Sequence, residues 1–242
     1  MSNPECSLVV PAYNEAAALP ATLAAARRAL ESAGTSWELV VVDNNSSDAT
    51  AELARAAGAR VVFEPINNIA RARNAGGRAA AGRFLLFLDA DTILPPAVFQ
   101  EALAQLRGGT CCGGGATVVF DSPIPFFARA FTALWNSLAP RLGYAAGSFV
   151  YCPKEAFDAV GGFDAKLYAS EEVHFSKALA RWGRPRGMAM RIGRVPVRTS
   201  ARKTAWFSQP RLLATLLLLM FFPFLARSKR CCAVWYTRPK NR

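Results

Sequence analysis

A chain of 242 residues, 52% of them hydrophobic, has material for a substantial core, which excludes disorder as the default state. Its formal net charge of +12 is unevenly placed: 15 of the 29 basic residues, and none of the 17 acidic ones, lie from Arg181 onward. The basicity therefore belongs to the end of the chain, where its partner is either nucleic acid or an anionic membrane surface.

The opening MSNPECSLVV shows no leader pattern, so the active domain is expected in the cytoplasm. Residues 7–13 (SLVVPAY) read as a buried strand ending in a Pro-containing turn. An Ala/Leu-rich helix over 16–33 follows, in which Pro20 is tolerable only near the first turn. WELVVVD (37–43) has no internal charge after Glu38, as a central parallel strand buried on both faces requires. The polar turn NNSSD (44–48) opens a helix over 48–57, with Ser47 or Asp48 as its cap. RVVFEP (60–65) is a third strand, 69–81 an Ala/Arg-rich helix, and RFLLFLDAD (83–91) a fourth strand. Strands and helices alternating at this spacing give βαβ units and a parallel sheet.

Beyond Asp91, Pro95–Pro96 start a helix to about Leu106. GGTCCGGG (108–115) reads as a turn before a strand at 116–121, because no helix start with Lys-Ser/Thr follows to make a phosphate loop. A helix spans roughly 124–139. Its aromatic part, IPFFARAFTALW, is assigned first to core packing, with an acceptor wall or a membrane surface as the other readings. GSFVYCP (147–153), a short helix, the turn GGFD (161–164) and a helix around 171–182 follow. Six cysteines, with Cys111–Cys112 and Cys231–Cys232 vicinal, offer no disulfide framework and no CxxC metal spacing, so they read as reduced, inert thiols.

Residues 211–226 (RLLATLLLLMFFPFLA) are the most apolar segment, but the run is shorter than the ~20 residues of a bilayer span and Pro223 interrupts it. Arg198, Arg202, Lys203 and Arg211 precede it, Arg227, Lys229 and Arg230 follow, and Trp206 and Trp235 sit near its ends. A helix lying in the headgroup region fits this pattern better than a core helix. The expected division is an α/β domain over 1–205 and a basic, apolar, membrane-associated tail over 206–242.

The chemistry centres on carboxylates at strand ends. Asp89 and Asp91 stand two apart at the close of an apolar strand, where alternation turns both to one face. Two charged groups there need compensation, which a hard divalent cation supplies. Asp43 closes another central strand at the same edge, where open α/β sheets bind ligands. It suits a hydrogen bond to a base or ribose, or alternatively a helix cap.

Four blocks in order, VVPAYNE (9–15), VVVDNNSSD (40–48), ARARNAGG (70–77) with FLDAD (87–91), and GGFD (161–164) with SEEVHFSKAL (170–179), resemble the family-2 glycosyltransferases over about residues 7–185. The resemblance implies a Rossmann-like GT-A fold with a mostly parallel central sheet flanked by helices, to which the helical tail is appended. It implies inverting transfer of a sugar from a nucleoside-diphosphate sugar, by preference a UDP-sugar, to an acceptor hydroxyl, with Mn²⁺ or Mg²⁺ as cofactor. In the family's terms Pro11, Ala12, Tyr13 and Glu15 line the nucleoside pocket and Asp43 reads the base. Arg73 approaches the nucleotide, Asp89 the ribose and metal, and Asp91 is the direct metal ligand. Glu172, with Glu171 beside it, takes the place of the catalytic base that accepts the acceptor's proton. Arg202 and Lys203, in VRTSARK (197–203), hold phosphates of the donor or of a lipid-linked acceptor, or else form a solvated or lipid-facing basic surface.

The chain departs from the family pattern at three positions: Asn44 replaces a common second Asp, Glu171–Glu172 replaces Glu-Asp, and His174 stands where Asp is frequent. His174, the only histidine, reads as a structural hydrogen-bonding residue. With the tail, the picture is an enzyme peripheral on the inner face of the cell membrane. Nucleic acid is not expected, since the basic residues bracket apolar sequence instead of interleaving with stacking aromatics. Two other readings are a nucleotidyltransferase, against which PAYNEAAALP lacks a Gly-rich, Arg-containing loop, and a membrane-tethered nucleotide-sugar-binding module without strong catalysis.

Overall fold

The computed structural model describes residues 3–236. The side chains of Lys203, Ala205, Leu216, Met220, Pro223 and Trp235 lie outside the described residues, and with them the phosphate contact expected at Lys203 and the anchor at Trp235.

The first half follows the hydrophobic pattern closely. Strand β1 (Cys6–Ala12) is buried throughout, and its alternation feeds two layers: Leu8, Val10 and Ala12 enter one core cluster, Val9 the other. Helix α1 (Leu19–Glu31) carries Pro20 in its first turn, as required, and buries Leu19, Leu23 and Leu30. β2 (Trp37–Asp43), α2 (Thr50–Ala56), β3 (Arg60–Phe63), α3 (Ile69–Ala79) and β4 (Phe84–Leu88) complete the βαβ series. Gly76 lets α3 lie directly on the sheet, because a Cβ there would stand 2.3 Å from Val9 Cγ1.

The sheet order is β3-β2-β1-β4-β7-β6-β8-β5, with β5 (Thr92–Ile93), β6 (Cys111–Phe120), β7 (Phe149–Pro153) and β8 (Ala189–Thr199) forming the second half. This sheet is mixed, not the mostly parallel one expected: β7 pairs antiparallel with both β4 and β6, and β5 antiparallel with β8. The cause lies in the connection from β6 to β7. Helix α5 (Phe126–Leu142) buries only Ala139, so it is not a crossover helix packed on the sheet face, and the chain re-enters the sheet reversed.

Two expectations fail with that connection. Cys111–Gly115 is not a turn but the first half of β6, squeezed between β7 and β8; a Cβ at Gly114 would stand 2.0 Å from the Arg191 carbonyl oxygen. Strand β8 was not anticipated, because arginines, Gly193 and Pro196 obscure its pattern; the register shifts opposite residues 194–196. The core-packing assignment of the aromatic helix also falls, since Phe126, Phe131, Leu134, Leu138 and Leu142 of α5 are exposed.

Helix α4 (Pro96–Arg107) joins α1 on one side of the sheet, while α6 (Lys154–Val160) and α7 (Glu171–Gly183) join α3 on the other. After β8 come α8 (Arg202–Trp206), α9 (Gln209–Phe221) and α10 (Ala233–Tyr236). None of the described side chains of α9 is buried, and among the described residues no helix is long and apolar enough to cross a membrane. The chain then returns: Tyr168 N–H donates to the Ala226 carbonyl at 2.7 Å, and Ala226 and Cys232 pack with Leu167 and Ala169. All six cysteines are free, and burial pushes the Cys6 thiol up to about 12 and Cys111 to about 11, in keeping with inert thiols.

Candidate active site

The carboxyl ends of β1, β2 and β4 meet at one rim, and the loops that leave them are stitched together by side chains. Asn14 accepts a hydrogen bond from Ser47 N–H at 2.7 Å and donates its own N–H to Ser46 Oγ at 3.0 Å. Glu15 N–H donates to Thr50 Oγ1 at 2.8 Å, and Asp48, which accepts from Thr50 N–H at 3.0 Å, also takes Ala16 N–H. Asp48 therefore satisfies the start of α2 from one residue before the formal cap, Ala49. Both Asn14 and Asn45 adopt positive φ, the conformation asparagine tolerates best among residues with a side chain.

Asp43 ends β2 and is buried, its Oδ1 accepting Ser46 N–H at 2.9 Å. The neighbouring Asn44 has a full set of partners. Its Nδ2 donates to the Glu64 and Ile66 carbonyls at 3.0 and 2.7 Å, and its Oδ1 accepts Asn68 N–H at 3.0 Å. An aspartate could not make the two donations, which gives the substitution at position 44 a physical reason.

Asp89, Ala90 and Asp91 lie past the end of β4, in a turn closed by Thr92 N–H to the Asp89 carbonyl at 3.0 Å. Strand alternation therefore does not orient the two carboxylates, and each meets a different arginine. Asp89 pairs with Arg73 Nη2 at 2.9 Å, and Asp91 Oδ2 with Arg202 Nη2 at 2.9 Å. Arg202 also pairs with Glu15, so one guanidinium from the last fifth of the chain bridges two largely buried carboxylates from its first half. Its Nε is buried without a hydrogen-bond partner.

Arg73 forms the second network. It is almost wholly buried, donates to the Gly147 carbonyl at 2.7 Å, pairs with Glu171 as well as Asp89, and stacks 5.3 Å from the Phe163 ring centroid. Asn74, one residue along α3, exchanges two 2.8 Å hydrogen bonds with the backbone of Phe163. These bonds join the ARARNAGG helix to the GGFD turn. Asn68 through Asn44, Gly147 through Arg73 and Ser148 through the Asp89 N–H join Asn74 at the site, residues absent from the sequence expectations, although Asn74 lies inside a motif already singled out.

Glu171 is thus committed to Arg73, while Glu172 is not paired in this way. Ordinarily near 4.5, Glu172 is pushed up to about 8, first by burial and then by the charge of Glu171, with Arg73 opposing. Gly147 lies against it: a Cβ there would come 3.5 Å from the Glu172 carboxyl carbon. His174 bonds through Nδ1 with the Ser170 carbonyl at 3.0 Å, the structural part expected of it. Of the remaining expected residues, Pro11 and Ala12 are buried within β1 and Tyr13 is half-buried at the rim.

Residues 7–161 match the family model described as glycosyl transferase family 2. The chain belongs to this family. Among curated relatives it is 32% identical over 152 residues to an undecaprenyl-phosphate 4-deoxy-4-formamido-L-arabinose transferase of Salmonella paratyphi B; that match covers 59% of this chain and 46% of the relative, so the chain spans about half the relative's length. A mannosyltransferase from Pyrobaculum calidifontis, in complex with GDP-Man and Mn²⁺, is similar at 19% identity and a TM-score of 0.66, covering 97% of this chain and 70% of that one. Glucosyl-3-phosphoglycerate synthase from Mycobacterium tuberculosis, with Mn²⁺, UDP and phosphoglyceric acid, is similar at 20% identity and a TM-score of 0.61, covering 93% and 78%. The fold of this family member is accordingly of the GT-A type.

The residues present fit a divalent cation. Among the described residues no group of three His, Cys, Asp or Glu side chains is poised for a metal. A cation that keeps its waters and arrives with a diphosphate needs only one or two carboxylates from the protein. Asp91 and Glu15 already converge on a single positive group, and Arg202 Nε is an unsatisfied donor beside them.

Proposed function

We propose that this glycosyltransferase moves a sugar, with inversion, from a nucleoside-diphosphate sugar to an acceptor hydroxyl at a membrane surface, with a lipid-linked acceptor favoured. The observation that carries the proposal is the division of labour between the two arginine networks. One arginine bridges the two carboxylates suited to a cation. The other holds Glu171 and Asp89, and Glu172 is left as a carboxyl near neutrality.

Asp91, helped by Asp89 or Glu15, would hold Mn²⁺ or Mg²⁺. When bound, that cation neutralises charge on the departing diphosphate. Arg202, with Lys203 next in sequence, turns to the diphosphate oxygens once a metal satisfies Asp91. Asp43, Tyr13 and the backbone of Pro11 and Ala12 line the nucleoside side of the cleft. Arg73 acts as a positioning residue, fixing the DAD turn, residue 147 and the start of α7 relative to one another. The acceptor oxygen attacks the anomeric carbon as the bond to the diphosphate breaks, and its proton passes to a Glu172 carboxylate oxygen.

The membrane part of the proposal rests on the exposed apolar α9 between basic flanks and on the curated relative named for a lipid-phosphate acceptor. Residues 206–242 are taken as the peripheral attachment to the inner face of the cell membrane, appended to a catalytic unit over 1–205. UDP is favoured over GDP as the donor nucleotide, a preference taken from the family.

The test is transfer itself. Radiolabelled UDP- and GDP-sugars are incubated with polyprenyl phosphate, Mn²⁺ and the purified chain, and the organic phase is counted. Label entering the lipid with wild type but not with Asp91→Asn or Glu172→Gln supports the proposal. No transfer and no donor hydrolysis with any nucleotide sugar overturns it.

A further inference from the structure

The exposed side of α5 has no assignment in the scheme above. Phe131, Leu134, Leu138 and Leu142 recur at helical spacing and form one stripe, with Leu134 57% and Leu142 54% exposed. The opposite side faces the domain, where Ala139 is buried and Asn136 Nδ2 donates to the Val118 carbonyl at 2.8 Å. Phe126, at the helix start, is 81% exposed. A monomeric protein rarely displays so continuous an apolar row to water, so something covers it.

Charge selects what covers it. No acidic residue occurs between Asp121 and Glu155, whereas Arg129 and Arg141 lie on the helix and are exposed. The adjoining strand β8 adds exposed Arg194 and Arg198 around a 41% exposed Val195. An apolar stripe on a helix that carries arginines and no acidic residue matches an anionic lipid surface, where the side chains enter the acyl boundary and the guanidinium groups meet phosphates. A second copy of this chain would instead bring like charges together.

We infer that the Phe131–Leu142 face of α5 is a docking surface for an anionic membrane, separate from the C-terminal tail. Its place in the chain gives it a purpose. The segment leaving α5 reaches Gly147, the carbonyl that Arg73 holds, and Ser148, whose carbonyl accepts Asp89 N–H at 3.2 Å. A helix seated in the headgroups therefore sets the acceptor side of the cleft at the lipid surface. That purpose rests on the lipid-acceptor proposal, but the docking itself does not.

The experiment uses the full chain and vesicles without any substrate. Co-sedimentation is measured with phosphatidylcholine vesicles containing a quarter phosphatidylglycerol, and with phosphatidylcholine alone, at low and high salt. Wild type should bind the anionic vesicles at least tenfold better than the neutral ones. Leu134→Glu/Leu138→Glu should lower that binding tenfold or more, with unchanged thermal melting and unchanged Mn²⁺-dependent nucleotide binding. A Leu134→Met/Leu138→Met control should bind as wild type does. Equal vesicle binding by the double Glu variant and wild type overturns the inference. So does a wild-type dimer in light scattering that the Glu variant splits without change in vesicle binding, because the stripe is then a protein interface. Failure of sugar transfer with intact vesicle binding would instead count against the proposed function alone.

Discussion

The ionisation of Glu172 carries a quantitative consequence. In the free enzyme its carboxyl titrates near 8, so about one molecule in ten has the carboxylate form at pH 7 and about nine in ten at pH 9. If that carboxylate takes the acceptor's proton, kcat/KM rises roughly tenfold across those two pH units, with a slope of one on a logarithmic plot below pH 8. The measurement is kcat/KM for the acceptor between pH 6 and 9.5, under saturating donor and metal. Glu172→Gln should reduce turnover at least a hundredfold and abolish the limb, the usual contribution of a general base being about 10²–10⁴. Glu171→Gln removes the repelling charge and should shift the midpoint to lower pH. The same group leaves a mark on stability. Its folded value lies above the 4.5 of the unfolded chain, so its contribution is fully present below 4.5 and is lost as pH rises toward 8. The metal-free wild type should melt progressively lower across that window relative to Glu172→Gln. A flat rate profile, or a limb that survives in Glu172→Gln, refutes the reasoning.

Other substitutions test the scaffold. Arg73→Met leaves Asp89 and Glu171 without their buried partner and should destabilise by about 3–5 kcal/mol in urea denaturation, the range for breaking a buried pair. Asn44→Asp deletes two donations to the 64–66 backbone and should lower stability by about 1–3 kcal/mol, read by the same method. Gly114→Ala forces a methyl to within 2.0 Å of the Arg191 carbonyl, so soluble yield and melting temperature should both fall sharply, whereas Gly108→Ala, with helical φ and its nearest neighbour 3.4 Å from the added methyl, should do far less harm.

The sequence made the first half of this fold legible because burial and period agreed there. WELVVVD is apolar on both faces and forms a strand over those seven residues, and Pro20 sits in the one helical turn that admits it. The second half resisted for reasons that can be named. Glycines at 113–115 usually mark turns, yet here they let three strands and Tyr151 crowd together, a requirement set by residues far away in sequence. Strand β8 mixes arginines with Gly193 and Pro196, so it has neither alternation nor a continuous apolar run. For α5, the apolar spacing correctly gives a helix, but amphipathic spacing cannot distinguish a protein core from another apolar surface.

At the site, the residue types were readable and their pairings were not. The DAD turn, Glu15, Arg73, Glu172 and Arg202 stand out in the chain, but the Arg202–Glu15 pair is separated by 187 positions and emerges only when β8 delivers α8 to the rim. Asp89 and Asp91 do gather at that rim, though through a turn and two different arginines, not through strand alternation.

In the proposed function, Asp91 and its neighbours exchange a guanidinium for a divalent cation carried with a diphosphate. Isothermal titration of UDP and GDP into the full chain, with and without Mn²⁺, tests this most directly. At least one nucleotide should bind with Mn²⁺ and at least tenfold more weakly without it, and Asp91→Asn should erase the difference. Binding that ignores the metal, or a metal dependence that persists in Asp91→Asn, contradicts that exchange.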